Sequence, residues 1–257
     1  MGTAGTGLGG ELVVRDLYEA DGALLYQALT RGDSYELREL LARVRSSTGA
    51  ILELAAGAGR LTVPLLSLGR PVTALDRSGD MLALLRGRLD ELPVHARELC
   101  SLVRGDLTDF SLGRRFGAIV LGTTTISLLD TQGRAGFYRS ARDQLAAGGM
   151  LLVSVVDLAR VGSAVPERRV PCAHPRSGRP YLLCEQVDTD RGVRVVTIVP
   201  ASPSAGDEVF TSTIEVVPVE TVIAELGDAG WSVRKVQVLT PPEDRYRGVL
   251  IEAELAG

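Results

Sequence analysis

Hydrophobic positions along the chain change rhythm several times. Residues 12–29 carry Leu17, Leu24, Leu25 and Ala28 at spacings that a helix brings to one face. Ser34 reads as an N-cap for Tyr35–Val44, where Leu37, Leu40, Leu41 and Val44 form a second helical stripe. From residue 50 the pattern alternates. Ala50–Leu54, Val72–Leu75, Leu99–Arg104, Phe116–Leu121 and Met150–Val156 are short apolar runs suited to buried strands. Between them Leu61–Leu68, Met81–Leu89 and Phe137–Leu145 have helical spacing, and Gly148-Gly149 closes the last of these. Strands alternating with helices in this way predict an α/β protein with a doubly wound, mainly parallel sheet and helices on both faces.

The rhythm breaks over 160–215, which holds six prolines and shows no helical stripe. Tyr181–Val187 and Val193–Val199 flank Asp188–Gly192 as an antiparallel hairpin would, and Phe210–Val217 reads as a further strand. This antiparallel β insertion is either an extra sheet flanking the core or a cap over a binding site at the strand ends. Helical order resumes at Val219–Ala229, closed by Gly230. Ser232–Leu239 and Gly248–Leu255 then form a last strand pair joined by the polar Thr240–Arg247. The chain thus divides into a tail with leading helices (1–44), a core (45–159), the insertion (160–215) and a segment completing a seven-stranded sheet (216–257).

Composition narrows the functional classes. A net charge of −4 argues against a broad grip on nucleic acid or anionic lipid, and Lys235 is the only lysine among 28 basic residues. Cys100, Cys172 and Cys184 are odd in number and lack motif spacing, so a disulfide framework or zinc knuckle is not expected. His95 and His174 have no partner spacing for a metal site. Charged, Gly or Pro residues interrupt every apolar run before membrane-spanning length, and Met1–Gly10 reads as a loose tail without a signal-peptide pattern. A cytoplasmic protein that does not engage membranes is expected.

The chemistry is concentrated in Ile51-Leu52-Glu53-Leu54-Ala55-Ala56-Gly57-Ala58-Gly59-Arg60. A buried strand ends on an acidic residue, and a small-residue turn opens a helix whose free N–H groups can face a ligand. Asp76 ends the second strand, where a carboxylate can accept bonds from both hydroxyls of a ribose. Asp106, in Arg104-Gly105-Asp106-Leu107, follows the third strand and can accept from an adenine amino group, with Met81 as an apolar wall. Each aspartate alone is an ordinary turn or cap residue. Acidic residues at the ends of three successive strands form a pattern.

That pattern resembles the class I S-adenosylmethionine (SAM) dependent methyltransferases, over roughly 45–157 and again over 219–255. The family signature has an acidic residue followed by three spaced glycines; here Ala55 stands at the first, a position that needs a small side chain. The resemblance implies SAM as cofactor. It gives Glu53 to the loop, Gly57 and Gly59 to the methionyl group, Asp76 to the ribose and Asp106 to the adenine. Arg60 either reaches the methionine carboxylate or lies at the surface. Arg77, Gly105, Leu107, Leu121 and Gly122 adjoin these positions. A dinucleotide-dependent dehydrogenase is the competing reading of Gly57-x-Gly59 followed by Asp76, opposed by Thr62 at the third glycine position and by the charge of Glu53. A SAM-binding regulator without activity is a further alternative.

The fourth strand ends in Leu121-Gly122-Thr123-Thr124-Thr125, without the Asn/Asp-Pro-Pro-aromatic motif frequent in nucleic-acid base methylases. It also lacks a carboxylate to pair with Asp157 as catechol-type metal ligands. A small-molecule or peptide acceptor remains. Asp16-Leu17-Tyr18 and the run 52–85 resemble the methyltransferases of daptide-type ribosomal peptide clusters. That resemblance implies N-methylation, usually twice, of a C-terminal peptide amine; O- or N-methylation of another small metabolite is the alternative. An amine must lose its proton before attack, and Tyr18, Tyr26, Asp157, His174 and Glu185 are candidates to position it or take that proton.

Overall fold

Apolar runs that alternate or bury both faces become strands of two sheets, and amphipathic segments become the helices covering them. The computed structural model describes residues 12–30, 35–122, 125–157, 167–188, 191–240 and 247–257. In chain order the elements are β1 (Val13–Asp16), α1 (Ala20–Thr30), α2 (Leu37–Ser46), β2 (Ile51–Leu54), α3 (Thr62–Leu66), β3 (Val72–Asp76), α4 (Gly79–Asp90), α5 (Val94–Arg97), β4 (Cys100–Arg104) and β5 (Phe116–Leu121). A 3-10 turn (Thr125–Leu128) leads to α6 (Thr131–Gln144), β6 (Leu145–Asp157), β7 (Arg168–Ala173), β8 (Pro180–Asp188), β9 (Val193–Pro200), β10 (Glu208–Glu215), α7 (Val219–Asp228), β11 (Trp231–Val238) and β12 (Arg247–Leu255).

The core sheet has seven strands in the order β11-β12-β6-β5-β2-β3-β4. Strands β2 to β6 are mutually parallel, while β12 runs antiparallel to β6 and β11 antiparallel to β12. This is a Rossmann-like, doubly wound sheet. Strand order reverses between β2 and β5, which opens a crevice beyond their carboxyl ends. Period-two alternation sorts the side chains. Leu52, Leu54, Ile119 and Leu121 pack with Phe137, Val222 and Leu226 of α6 and α7. Ile51, Ala118 and Val120 pack with Leu40, Leu65 and Leu85 of α2, α3 and α4. Glu53 therefore points to the same face as Ile51, toward α3.

The second sheet has five strands in the order β1-β10-β9-β8-β7, antiparallel except for the parallel β1–β10 pair. The hairpin β8–β9 matches the sequence expectation. The leading segment does not. Residues 12–29 are not one helix, because Val13–Asp16 pairs with Glu208–Thr211 as an edge strand and α1 begins only at Ala20. β-branched Val13 and Val14 suit a strand, and the ladder satisfies backbone groups that a short helix start would leave open. Leu17 and Leu25 join Phe210, Ile198 and Tyr181 in a third apolar cluster. Gly22 permits that contact: a Cβ there would stand 2.8 Å from Phe210 Cδ1.

Smaller differences have local causes. Helix α6 starts at Thr131, ahead of its apolar stripe, because Asp130 caps it by accepting from Gly133 N at 2.7 Å. Strand β6 already pairs at Leu145 and runs through Gly148, which takes φ +69. The short α5 is unmarked by any stripe in four residues. The Ser34 cap, the tail 1–10, Thr123, Thr124 and most of the 240–247 turn lie outside the described residues. Among the described residues no helix is long and apolar enough to cross a membrane.

Candidate active site

The turn after β2 is built by backbone geometry. Ala56 N donates to Leu75 O at 3.0 Å, and Gly57 N donates to Asp76 Oδ2 at 2.7 Å, so the turn folds over the end of β3. Ala55, Gly57 and Gly59 all have positive φ, at 53°, 54° and 82°. A Cβ on Gly57 would meet nothing within 4 Å, whereas one on Gly59 would stand 2.3 Å from Leu85 Cδ1. Gly57 thus opens to the crevice and Gly59 serves the packing of α4. Position 55 demands a left-handed backbone as well as a small side chain. That conformation costs an L-residue about 1–2 kcal/mol, partly offset in Ala55→Gly by about 0.5–1 kcal/mol of chain entropy. The Ala55 methyl also packs on the core. Ala55→Gly is therefore expected to raise stability slightly, by roughly 0.5 kcal/mol in urea unfolding; a loss would show that the methyl contact outweighs the strain.

The three acidic residues differ in state. Asp76, at the end of β3, accepts from Ser78 N through Oδ1 at 2.8 Å and from Gly57 N through Oδ2. Burial pushes its carboxyl pKa up against those two N–H groups. Asp106 is exposed, and its Oδ1 accepts from Thr108 N and Thr108 Oγ1 at 2.8 and 2.7 Å, which holds its pKa below the usual range. Glu53 is buried and accepts from Thr62 Oγ1 at 2.6 Å. Burial pushes the Glu53 carboxyl from 4.5 up to about 8, despite that bond and the nearby Arg60 charge. A folded-state value above the unfolded one means that the unfolded chain binds fewer protons in this window. Stability therefore falls as pH rises through it. Glu53→Gln should match the wild type near pH 5 and exceed it near pH 9 in denaturant melts of the cofactor-free protein. Parallel pH profiles would contradict this assignment.

These groups share one cavity of about 510 Å³ at the carboxyl ends of β2–β5. Glu53, Ala55, Gly57, Arg60, Asp76 and Arg77 line it, as do Met81, Gly105, Asp106, Leu107 and Gly122. Gly59 and Leu121 do not; Leu121 is fully buried in the sheet core beneath. Sequence reasoning missed Ser78, whose Oγ caps α4 by accepting from Met81 N and donates to Tyr18 O at 2.7 Å. Its position just ahead of a helical stripe was the available signal. It also missed Arg88, which reaches Ala58 O at 2.9 Å, and the hydroxyl row Thr211–Thr213 of β10, which carried no motif.

The catalytic candidates separate by position. Tyr18 and Tyr26 line the cavity with rings edge-to-face, centroids 5.1 Å apart at 82°. Burial raises the Tyr18 phenol pKa far above its usual value, although a hydrogen bond with Ser212 opposes the shift. The phenol keeps its proton, so it can orient a ligand but not act as a base at neutral pH. His174 and Glu185 lie away from the cavity. His174 is buried outside the cavity, Nδ1 accepting from Ser177 N at 3.2 Å and Nε2 lying 3.4 Å from Asp21 Oδ1, where it ties α1 to the second sheet. Glu185 is buried against Arg194 across β8–β9. The side chain of Asp157 lies outside the described residues.

A sheet-switch crevice with a Gly-x-Gly turn, carboxylates at the carboxyl ends of β2, β3 and β4 and apolar walls at Met81 and Leu107 defines a nucleoside-cofactor site in a Rossmann-like protein. Its donor set suits SAM: carboxylates for the ribose and adenine at one end, and Arg60 for an amino-acid carboxylate at the other. Residues 51–149 match the methyltransferase domain family. The glycopeptide N-methyltransferase MtfA, solved in complex with SAM, is 34% identical; the match covers 86% of this chain and 93% of that one, with a TM-score of 0.65. The chain belongs to the class I SAM-dependent methyltransferases. It is 31% identical over 145 residues to dTDP-3-amino-3,4,6-trideoxy-alpha-D-glucopyranose N,N-dimethyltransferase of Streptomyces venezuelae, spanning 53% of this chain but only 58% of that relative's length. The CcbJ methyltransferase from Streptomyces caelestis shares the fold, with a TM-score of 0.73 at 18% identity over 91% of this chain and 98% of that one.

Proposed function

We propose that this protein binds SAM in the crevice and methylates an amine of a small or peptidic natural product. The observation that carries the reading is the composition of one cavity. Its lining joins the strand-end groups Gly57, Asp76 and Asp106 to Tyr18, Tyr26 and Ser212 from the second sheet and its helix. SAM, when bound, supplies an electrophilic methyl group. Asp76 holds the ribose, Asp106 the adenine amino group, and Met81 and Leu107 enclose the ring. Tyr18 orients the acceptor nitrogen, while the second sheet keeps water from the reacting atoms and acts as the acceptor-side cap. The amine arrives as a cation and must lose its proton before attack; the protonated Tyr18 phenol is not the group that takes it.

The relatives named above act on a glycopeptide and an amino sugar, which supports an amine acceptor of that type. The C-terminal amine implied by the daptide-type resemblance is a narrower case of the same chemistry. The dehydrogenase reading is disfavoured because Thr62 is committed to Glu53 at the start of α3, where a dinucleotide fingerprint needs a glycine for close packing. The test is mass spectrometry of an acceptor panel with SAM: an amino-sugar nucleotide, a glycopeptide amine, a peptide with a C-terminal amine, and hydroxyl counterparts of each. Addition of one and then two methyl units to an amine is expected, with a rate that rises with pH as the amine deprotonates. Methylation confined to the hydroxyl compounds would overturn the amine assignment.

A further inference from the structure

Glu36, which begins α2, turns its carboxylate away from its own helix. It occupies the N-cap position and makes no side-chain bond to the first-turn N–H groups. It is instead fully buried and bonded to Arg60 Nη2. Its Oε1 lies 3.4 Å from where a Cβ on Gly122 would stand, so the pair sits where β2 and β5 end. Arg60 reaches the cavity from that side. Asp76 and Asp106 stand on the other side, after β3 and β4, as the strand order dictates. Burying two charges carries a desolvation cost that a fold can avoid with apolar residues, so a pair held at a cavity wall calls for a reason beyond stability. Burial works against the Arg60 charge, and Glu36 overrides it, keeping the guanidinium pKa above its ordinary value.

We infer that Glu36 is a positioning residue: it fixes the plane of the Arg60 guanidinium so that its fork meets the amino-acid carboxylate of the cofactor. A guanidinium carries five donors in a rigid plane, so one buried carboxylate can orient the group while the fork serves a second. This rests on the SAM reading of the cavity. The test is calorimetric titration with two ligands, S-adenosylhomocysteine and 5′-methylthioadenosine, which share the nucleoside and sulfur but differ in the carboxylate-bearing arm. Glu36→Gln should weaken S-adenosylhomocysteine about tenfold, the scale of one charge-assisted bond, and 5′-methylthioadenosine less than about twofold. Arg60→Ala should do the same, and the double variant should lose little more than either alone. Equal losses for both ligands would overturn the inference, as would an unchanged S-adenosylhomocysteine affinity. Should Glu36→Gln not fold, Glu36→Asp, which keeps the charge at shorter reach, makes the same comparison. Wild-type protein that binds neither ligand would instead overturn the SAM reading itself, a result distinct from either.

Discussion

Asp76→Ala should cost the protein nearly all of its cofactor affinity. The carboxylate has two tasks at once. It accepts from Gly57 N and Ser78 N at 2.7 and 2.8 Å, which holds the turn after β2 against the start of α4, and under the SAM reading it also receives the ribose hydroxyls. Hydrogen bonds to a charged group contribute about 1.5–3 kcal/mol each. Losing the ribose contacts alone should therefore weaken SAM binding by roughly 100-fold, or about 3 kcal/mol. The turn should loosen as well. Asp76→Asn, which keeps the shape and one acceptor oxygen, should lose less. Calorimetry of both variants, paired with melting curves, checks the ranking; a wild-type affinity in Asp76→Ala would remove this residue from the site.

Arg134→Met should produce the largest loss of stability. The guanidinium is 4% exposed and joins three elements. Its Nε donates to Glu225 Oε2 of α7 at 2.9 Å, its Nη1 donates to Leu129 O at 2.7 Å, and Nη1 also meets Glu215 at the end of β10. Tyr138 Oη, one turn further along the same face of α6, donates to Glu225 Oε2 at 3.0 Å. Glu225 is one-fifth exposed and Glu215 about half exposed, so solvent takes up part of the loss and about 2–3 kcal/mol is expected. In a chain of this size that corresponds to a fall in melting temperature of roughly 8 °C. Because Glu215 belongs to the second sheet, the variant should also loosen the wall that carries Ser212. A shift within error in thermal unfolding would mean that these ion pairs behave as solvent-screened surface pairs.

The core was legible because its signals are local. Leu52 and Leu54 against Ile51 and Glu53 record the two faces of a strand, and Gly57 after that strand records a turn that only a permissive backbone makes. Asp76 and Asp106 could be read because parallel strands deliver their carboxyl ends to one edge. What escaped depends on contacts distant in sequence. Val13–Asp16 becomes a strand only because β10, nearly two hundred residues later, offers an unpaired edge. The same docking brings Tyr18 to Ser78, and His174, beyond β7, lies near Asp21 of α1. Glu36 and Arg60 lie in turns ahead of separate helices, with no spacing that links them. The position-55 backbone, left-handed beneath an alanine, is invisible to any pattern of side-chain sizes.

The most direct test of the account is a calorimetric titration of the wild-type protein with SAM and, separately, with NAD⁺. Saturable binding of SAM at one site per chain, with no heat from NAD⁺, is the predicted result. Binding of NAD⁺ with none of SAM would contradict it.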